Sequence, residues 1–295
     1  MKHVVVLMGG ISAEREISLK SGRAVAEALR TRNFKVTELD ITSREFELPP
    51  DTDMVFVALH GTYGEDGDVQ KFLHKMGVPY SGSDEKSSRI SFDKMLSKKC
   101  FEKHGVNTPR YEVLRNGQPR TLPLPVVVKP PRQGSSIGLT IVKDESEWPV
   151  ALETSLKYDE EVLVEAFVSG RELTVGIVGQ EVYPVVEIRA PGGHYDYRAK
   201  YTTGTTEYLC PAPLEEEVAR ECQHLAWKTF QALGARGLGR VDIRLTGDNI
   251  PYVLELNSIP GFTSTSLLPK AARAAGIEFP ELCEKIVMLT LQDMQ

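Results

Sequence analysis

Two neighbouring stretches of the chain, GRVDIRL at 239–245 and YVLELN at 252–257, alternate polar with apolar residues. This alternation is typical of β-strands that bury one face and leave the other polar. Between them, TGDN at 246–249 is a turn signal. The two strands are therefore predicted to form an antiparallel hairpin.

The register of this hairpin decides which polar side chains meet. If the turn is centred on Asp248-Asn249, Asp242 stands opposite Glu255 and Arg240 stands opposite Asn257. A register shifted by one residue would put the two sets on opposite faces of the sheet. The prediction of a shared polar face thus depends on the turn.

In this register Glu255 and Asn257 lie on the face opposite Leu254 and Leu256. Two carboxylates and an amide that converge there are hard oxygen ligands, suited to Mg²⁺ that bridges phosphate groups. A solvated sheet face with cross-strand ion pairs explains the same residues equally well. The residues alone leave both interpretations open.

A second polar segment precedes the hairpin. The stretch 195–201, YDYRAKY, is aromatic and charged with little apolar periodicity, and glycines flank it at 192, 193 and 204. Such a segment is typical of a mobile loop. We predict that residues 190–207 form a lid that closes over the polar face.

Composition restricts the class of protein. The 295 residues are 41% apolar and 26% charged, with a net charge of −6, which is ordinary for a globular chain of two or three domains. Lysines and arginines are scattered, so a nucleic-acid partner is not expected. Val4–Met8 is too short for a signal-peptide core or a membrane span. Four cysteines without a C-x-x-C pair indicate free thiols in a reducing cytoplasm.

The first third of the chain alternates strand and helix patterns. Val4–Met8 precedes a helix near Ser18–Thr31, and strands at Val36–Leu39 and Met54–Leu59 precede a helix at Val69–Met76. This order predicts a βαβ arrangement with a parallel sheet. Further along, Phe92–His104 is predicted to form one lysine-rich helix.

A loop rich in glycine and serine follows the predicted strand Val126–Lys129. Gly134-Ser135-Ser136-Ile137-Gly138 would let backbone N–H groups approach phosphate, with Lys129 adding a positive charge. The same five residues match the G-x-S-x-G nucleophile elbow of esterases, which requires a following helix. Leu139–Val142 has a strand pattern instead, which disfavours a hydrolase.

Two residues after N-terminal strands are candidates for contact with a ligand. Glu14 follows Gly9-Gly10, where it could complement a helix dipole or bind a substrate ammonium group. The dinucleotide motif G-x-G-x-x-G is absent. His60 ends another strand, where a histidine is more often structural than catalytic.

Taken together, these segments resemble the D-alanine–D-alanine ligase family of the ATP-grasp superfamily over essentially the whole chain. The resemblance rests on motifs in a fixed order: Gly9-Gly10, Ser12 to Glu16, Ala58 to Gly61, Gly64 to Gly67, Asp93-Lys94, Lys129-Pro130, Gly134 to Ser136, Tyr195 to Tyr197, Lys200-Tyr201, Gly239 to Asp242 and Glu255 to Asn257.

The resemblance implies an α/β, three-domain ATP-grasp fold with a Rossmann-like parallel sheet at the N-terminus. The implied domains are an N-terminal substrate domain at 1–88, a central subdomain at 89–169 and a C-terminal subdomain at 170–295. The lid at 190–207 belongs to the last. The connection 105–124 is short and rich in proline, and comparison with the family suggests a shortened central domain.

The resemblance also implies the ligands of individual residues. ATP would be bound by Lys94, Lys129, Lys200 and Ser135, by Glu165, Ala166, Phe167 and Val168 around adenine, and by Glu172 at the ribose. Metal would be bound by Asp242, Glu255 and Asn257. Substrate would be bound by Glu14 with His60 nearby, by Arg240, and by Ser266 and Leu267.

The resemblance implies that Glu14, Ser135 and Tyr201 form a hydrogen-bonded network in catalysis. It also implies that Arg240 and the Gly261 N–H bind the developing oxyanion. Thr265 stands where many relatives carry histidine.

The implied reaction joins two D-alanine molecules through an acyl phosphate, with ATP as cosubstrate, for peptidoglycan precursor synthesis and cell-wall formation. The implied cofactor is Mg²⁺, as two ions, with Mn²⁺ as an alternative. A cytoplasmic homodimer without a membrane partner is expected. Ligases that use D-lactate or D-serine as second substrate are the nearest alternatives, and an ATP-binding protein without activity is another. Tyr201 favours the dipeptide.

Overall fold

The computed structural model describes residues 1–190 and 206–292. Within these residues, no helix is long and apolar enough to cross a membrane. Helices and strands are mixed along the first third, and the strands of the described residues form three separate sheets.

Apolar runs near the N-terminus form the first sheet. Strand β1 (His3–Gly9) lies between β2 (Lys35–Ile41) and β3 (Met54–Val57), and both pairings are parallel. Helix α1 (Arg15–Arg30) connects β1 to β2, as a parallel connection requires. The parallel βαβ arrangement predicted from the sequence is confirmed.

The middle of the chain forms a four-stranded antiparallel sheet in the order β4-β7-β5-β6. Helix α5 (Trp148–Leu156) packs against this sheet, and the two share one hydrophobic cluster. The strands are β4 (Tyr111–Arg115), β5 (Val126–Lys129), β6 (Thr140–Val142) and β7 (Glu161–Ala166).

The largest sheet contains the polar hairpin. Its strands run in the order β11-β10-β8-β12-β13, with β9 paired to β8. Their bounds are β8 (Arg171–Val178), β9 (Glu181–Val182), β10 (Val186–Arg189), β11 (Glu207–Leu209), β12 (Leu238–Leu245) and β13 (Pro251–Asn257).

Six further α-helices of the described residues surround these sheets. They are α2 (Asp68–Lys75), α3 (Glu85–Phe92), α4 (Lys94–His104), α6 (Glu216–Ala232), α7 (Leu267–Ala274) and α8 (Phe279–Gln292).

The single helix predicted at Phe92–His104 is wrong at its start, because Asp93 separates α3 from α4. The backbone of Asp93 is extended, and the Asp93 carboxylate accepts hydrogen bonds from the N–H groups of Met95 and Leu96. An aspartate that caps a helix in this way satisfies donors that have no partner within the helix. The cap places Lys94 at the first residue of α4.

The hairpin pairs Asp242 with Glu255 and Arg240 with Asn257, as predicted. The next pair, however, is Ile243 with Val253, so Leu254 is a one-residue bulge. The bulge turns Leu254 onto the same side as Glu255, where it lines a pocket. The prediction that Leu254 lies on the apolar face is wrong, because pattern alone cannot locate a bulge.

Hydrophobic contacts connect distant parts of the chain. Val4 and Val6 of β1 share one cluster with Ile286 and Val287 of α8, so the C-terminal helix covers the N-terminal sheet. Phe101 of α4 packs in the cluster of the largest sheet. The domain boundaries at 88/89 and 169/170 stay a prediction, and packing crosses both of them.

Candidate active site

The polar face of the hairpin is organised around one carboxylate. Arg240 donates to Asp242 through Nε and Nη2 at 2.8 Å each, and Asn257 Nδ2 donates to Asp242 Oδ2 at 2.9 Å. Thr174 Oγ1, on the neighbouring strand β8, donates to Asp242 Oδ1 at 2.6 Å. These four hydrogen bonds fill the acceptor sites of the carboxylate. Ligation of a metal by Asp242 would therefore replace one of these contacts.

Three oxygen-bearing side chains stand on neighbouring positions of the two paired strands: Asp242, Glu255 and Asn257. Lys94 Nζ lies 3.2 Å from Glu255 Oε2 and donates to the Gln133 carbonyl at 2.7 Å. In the described part of the chain, no group of three or more His, Cys, Asp or Glu residues could hold a metal ion. Two carboxylates and an amide still fit Mg²⁺, which commonly takes one or two protein carboxylates and completes its shell with phosphate and water.

A buried ionic cluster lies beside the hairpin. Glu165 forms ion pairs with Lys129 and Lys98, and the side chains are 2%, 8% and 1% exposed, respectively. Burial acts to raise the pKa of Glu165, but the ammonium groups of Lys129 and Lys98 outweigh it and lower the pKa to about 2. Burial acts to lower the pKa of Lys129, and the carboxylates of Glu165 and Glu255 raise it above its ordinary value. Both groups are therefore ionised at neutral pH.

Lys98 was not identified from the sequence. Burial lowers its pKa, against the attraction of Glu165, and Nζ also donates to Thr108 Oγ1. Lys98 lies four residues after Lys94 on α4, and residues at this spacing share a helix face. This spacing is the feature of the sequence that could have pointed to Lys98.

A slot with mostly apolar walls extends from this cluster. The walls include Val127, Ile137, Leu139, Ile141 and Leu254, and the segment Glu165 to Val168 forms one edge.

Arg244 also lines the slot and contacts several of the other residues that line it. Its Nη1 donates to Glu172 Oε2 at 3.1 Å, and its Nε donates to the Val168 carbonyl at 3.2 Å. The guanidinium lies 5.9 Å from the centre of the Phe167 ring. Apolar walls with a polar edge are typical of a site for a flat, partly polar ring.

The glycine- and serine-rich loop separates the slot from a second pocket. Ser135 and Ser136 have φ angles of 50° and 58°, in the left-handed region that non-glycine residues rarely adopt. Ser135 Oγ donates to Glu14 Oε1 at 2.5 Å, which ties the loop to the start of α1. The esterase interpretation is excluded, because β6 follows the loop and pairs antiparallel with β5 where an elbow requires a helix.

The second pocket is lined by groups of both charges. Glu14 and Glu65 are its acidic residues, and Lys20, Arg240 and Lys270 are its basic ones. The N-terminus of α7 also borders it. A free amino acid carries an ammonium and a carboxylate, so a pocket with both acidic and basic groups fits one or two such molecules.

Glu65 belongs to a motif noted in the sequence, yet no role was predicted for it. Burial raises its pKa, partly opposed by His60, and the nearby carboxylate of Glu14 raises it further. Glu65 Oε1 lies 3.6 Å from His60 Nδ1.

His60 contacts two elements of the protein. Its Nε2 lies 3.0 Å from Ser21 Oγ on α1, and its Nδ1 lies 3.1 Å from the carbonyl oxygen of Ile259, after β13. His60 is 4% exposed and lines the second pocket.

The loop after β13 leads into α7 and brings three predicted residues together. Gly261, Ser266 and Leu267 all line the second pocket. The Thr263 N–H donates to Ser266 Oγ at 3.0 Å, and Leu267 is the first residue of α7, where backbone N–H groups have no partner within the helix. Thr265 lies in the same loop, 3.2 Å from Thr263 through the two hydroxyl oxygens.

Most of the residues implied by the resemblance thus surround two adjoining pockets. Lys200, Tyr201 and the lid residues 191–205 lie outside the described residues.

The fold and the site define a class of protein: an α/β ATP-grasp protein, in which two antiparallel sheets line a slot beside a second, charged pocket. Comparisons with known proteins identify the family. The family model for the D-ala D-ala ligase C-terminus matches residues 96–288, and the model for the N-terminus matches residues 42–83.

Relatives match along nearly the whole chain. A D-alanine–D-alanine ligase of Methylacidiphilum infernorum is 46% identical over 289 residues, covering 98% of this chain and 95% of that protein. One of Bordetella pertussis is 43% identical over 295 residues, covering 96% and 93%. The chain belongs to the D-alanine–D-alanine ligase family and is an enzyme of the ligase class.

Solved structures agree with this assignment. The D-alanine–D-alanine ligase of Bacillus anthracis complexed with ATP superimposes with a TM-score of 0.88 at 32% identity, covering 99% of this chain and 98% of that one. The VanG D-Ala:D-Ser ligase of Enterococcus faecalis gives 0.87 at 29% identity, covering 98% and 99%.

Proposed function

We propose that this protein joins two molecules of D-alanine into D-alanyl-D-alanine at the expense of ATP. The observation that carries the proposal is the pocket lined by both acidic and basic groups, which adjoins the nucleotide slot across the Ser135 loop. A site that activates one amino acid and accepts a second needs this adjacency. The dipeptide then serves peptidoglycan precursor synthesis, a role that follows from the family.

The first step activates a carboxylate. One carboxylate oxygen of the first D-alanine attacks the γ-phosphorus of ATP, the bond to the bridging oxygen breaks, and ADP leaves with its electron pair. The product is D-alanyl phosphate. Glu14 would hold the ammonium of this D-alanine, and Ser135 holds Glu14 in place through its 2.5 Å hydrogen bond.

The phosphates require positive charge in the slot. Lys94 and Lys129 line it, next to the hairpin carboxylates, and Lys200 is the third lysine that we propose for this task. Adenine would lie between the apolar walls against the segment from Glu165 to Val168, with Glu172 near the ribose. Positioning and charge neutralisation are the main demands of phosphoryl transfer.

Asp242, Glu255 and Asn257 would hold Mg²⁺, as two ions, with Mn²⁺ as an alternative. When bound, the metal neutralises phosphate charge.

The second step forms the peptide bond. The amine of the second D-alanine attacks the carbonyl carbon of D-alanyl phosphate, phosphate leaves, and the nitrogen loses a proton. Arg240 and the Gly261 N–H would stabilise the oxyanion that develops. The carboxylate of the second D-alanine would bind at Ser266 and the Leu267 N–H, where the helix N-terminus favours negative charge. Tyr201 would tie the lid to Ser135 and exclude water.

Ligases with D-lactate or D-serine as second substrate are not favoured, because the relatives at 42–46% identity are D-alanine–D-alanine ligases. A homodimer and a cytoplasmic location stay predictions from the family resemblance.

A direct assay tests the proposal. Purified protein with ATP and Mg²⁺ should release phosphate when D-alanine is added, and mass spectrometry should detect the dipeptide. The controls are ATP without an amino acid and a panel of L-amino acids, D-serine and D-lactate. Equal turnover with L-alanine, or none with D-alanine, would contradict the proposed function.

A further inference from the structure

Ser21 is a buried serine of α1, 1% exposed, and it contacts two other parts of the chain. Its Oγ lies 3.0 Å from His60 Nε2. It also accepts a hydrogen bond from the Phe262 N–H at 3.2 Å. Three segments that are distant in sequence thus meet at one hydroxyl.

The loop at 259–262 is held at both ends by these contacts. His60 Nδ1 faces the carbonyl of Ile259 at 3.1 Å, and Ser21 Oγ holds the N–H of Phe262. Gly261 lies between them and lines the second pocket. Within residues 1–190 and 206–292, its N–H donates no hydrogen bond.

Hydrogen-bond chemistry gives the contacts a direction. A carbonyl oxygen only accepts, so His60 Nδ1 must carry the proton that is donated to Ile259. In a neutral imidazole Nε2 is then an acceptor, and the Ser21 O–H donates to it. The Ser21 oxygen keeps a lone pair for the Phe262 N–H. All three hydrogen bonds are satisfied in one arrangement, and it selects a single tautomer of His60.

We propose that Ser21 is a positioning residue for the ligation reaction: with His60 it clamps the loop at 259–262 and so aims the Gly261 N–H at the developing oxyanion. Ser21 lines the second pocket, but its hydroxyl is engaged by His60 and the Phe262 N–H, so it acts through the loop and not through a reacting atom. The inference rests on the proposed function, because it assigns a task within the same reaction. It explains why a serine and a histidine of the N-terminal region contact a loop that follows the largest sheet.

Removal of the Ser21 hydroxyl should lower kcat without changing the KM for ATP. Ser21→Ala leaves the Phe262 N–H without its acceptor and His60 Nε2 without its donor, so the loop loses a fixed position. Loss of one oxyanion donor costs about 10²–10³ in rate, and a donor that is misplaced but retained should cost less, about 10–100-fold in kcat. The KM for ATP should not change, because Ser21 does not line the nucleotide slot.

Ser18 provides a matched control. It lies one turn earlier on α1, is fully buried, and also bridges two backbone groups, accepting from the Gly9 N–H at 2.9 Å and donating to the Ala58 carbonyl at 2.7 Å. Ser18→Ala therefore removes an equally buried hydroxyl away from the loop. Both variants should lower the Tm, and only Ser21→Ala should lower kcat at an unchanged KM for ATP.

A transition-state analogue separates positioning from structure. A dipeptide phosphinate places a negatively charged oxygen where the oxyanion develops, so it should report the aim of the Gly261 N–H. We expect its inhibition constant to rise in Ser21→Ala by about the factor lost in kcat, with no rise in Ser18→Ala. Ser21→Cys, which keeps a weak donor, should give an intermediate kcat, and it carries the test if the alanine variant does not fold.

The outcomes are distinguishable. Absence of dipeptide synthesis by the unaltered protein would count against the proposed function. An active unaltered protein together with normal kcat and normal phosphinate inhibition in the Ser21 variants would overturn this inference alone. Equal losses in Ser18→Ala and Ser21→Ala would also overturn it, because they would show a general effect of α1 stability.

Discussion

The nucleotide slot and the amino-acid pocket adjoin each other but are built differently. In the slot, charges are buried and compensated inside the protein, as in the cluster of Glu165 with Lys98 and Lys129. The pocket is lined instead by residues from several parts of the chain, among them Gly261 and Leu267, whose backbone N–H groups lie on the loop and helix that follow β13. Fixed, paired charges suit phosphate charge that is already present when ATP binds, whereas aimed backbone groups suit charge that appears only during the reaction.

This comparison predicts that pocket variants lower kcat, and that slot variants change nucleotide affinity and stability. Five predictions test it, from the largest expected effect to the smallest.

Arg240→Ala should lower kcat by about 10²–10³, the usual cost of one lost oxyanion donor. Steady-state kinetics with D-alanine would measure this, and equilibrium binding of ATP would show whether the slot is intact. Arg240→Lys is the control, since it keeps the charge but not the two-pronged contact with Asp242. Near-normal turnover of Arg240→Ala would show that Arg240 is only a charge on the sheet face.

Glu255→Gln should raise the Mg²⁺ concentration required for half-maximal activity by about tenfold or more, because a carboxylate oxygen binds a hard cation better than an amide does. Glu153→Gln, which changes an exposed carboxylate on α5, is the control. An unchanged Mg²⁺ titration for Glu255→Gln would remove Glu255 from the proposed ligand set.

Lys98→Met should raise the KM for ATP by about tenfold and lower the Tm. Without Lys98, Lys129 is the remaining partner of the buried Glu165, so it is less available to phosphate, and a broken buried ion pair destabilises the fold. Lys103→Met, on the exposed side of the same helix, is the control. A variant with an unchanged KM for ATP would show that Lys98 serves stability alone.

The same cluster predicts a dependence of stability on pH. The pKa of Glu165 is lowered from 4.5 to about 2 in the folded protein. Its contribution to the free energy of unfolding is therefore fully present above pH 4.5 and is lost as the pH falls toward about 2. Unfolding of Lys98→Met should lose less stability over this range than the unaltered protein.

The smallest effect is expected at Glu65. Burial raises the pKa of Glu65, because the charged carboxylate is disfavoured in the folded state. The free energy of unfolding therefore falls as the pH rises through the raised pKa. Glu65→Gln should therefore raise the Tm at alkaline pH, where the carboxylate of the unaltered protein is charged, with a smaller difference at acid pH. A Tm difference that does not depend on pH would show that Glu65 carries no raised pKa.

The sequence predicted the local elements well where pattern and chemistry agree. Apolar runs fixed the parallel strands, and the alternation at 239–257 gave the correct pairing of Asp242 with Glu255. The bulge at Leu254 and the break at Asp93 were missed, since each depends on how a neighbouring strand or cap satisfies the backbone.

The sequence by itself determined the strand and helix patterns, the polar hairpin and the family motifs, because these depend on residues close together in the chain. Only the tertiary structure decided which distant groups meet. Lys98 pairs with Glu165, and Ser21 reaches Phe262 across more than two hundred residues of sequence. The physical reason is that burial makes an unpaired charge or hydrogen-bonding group costly, so partners are set by packing, which no local pattern encodes.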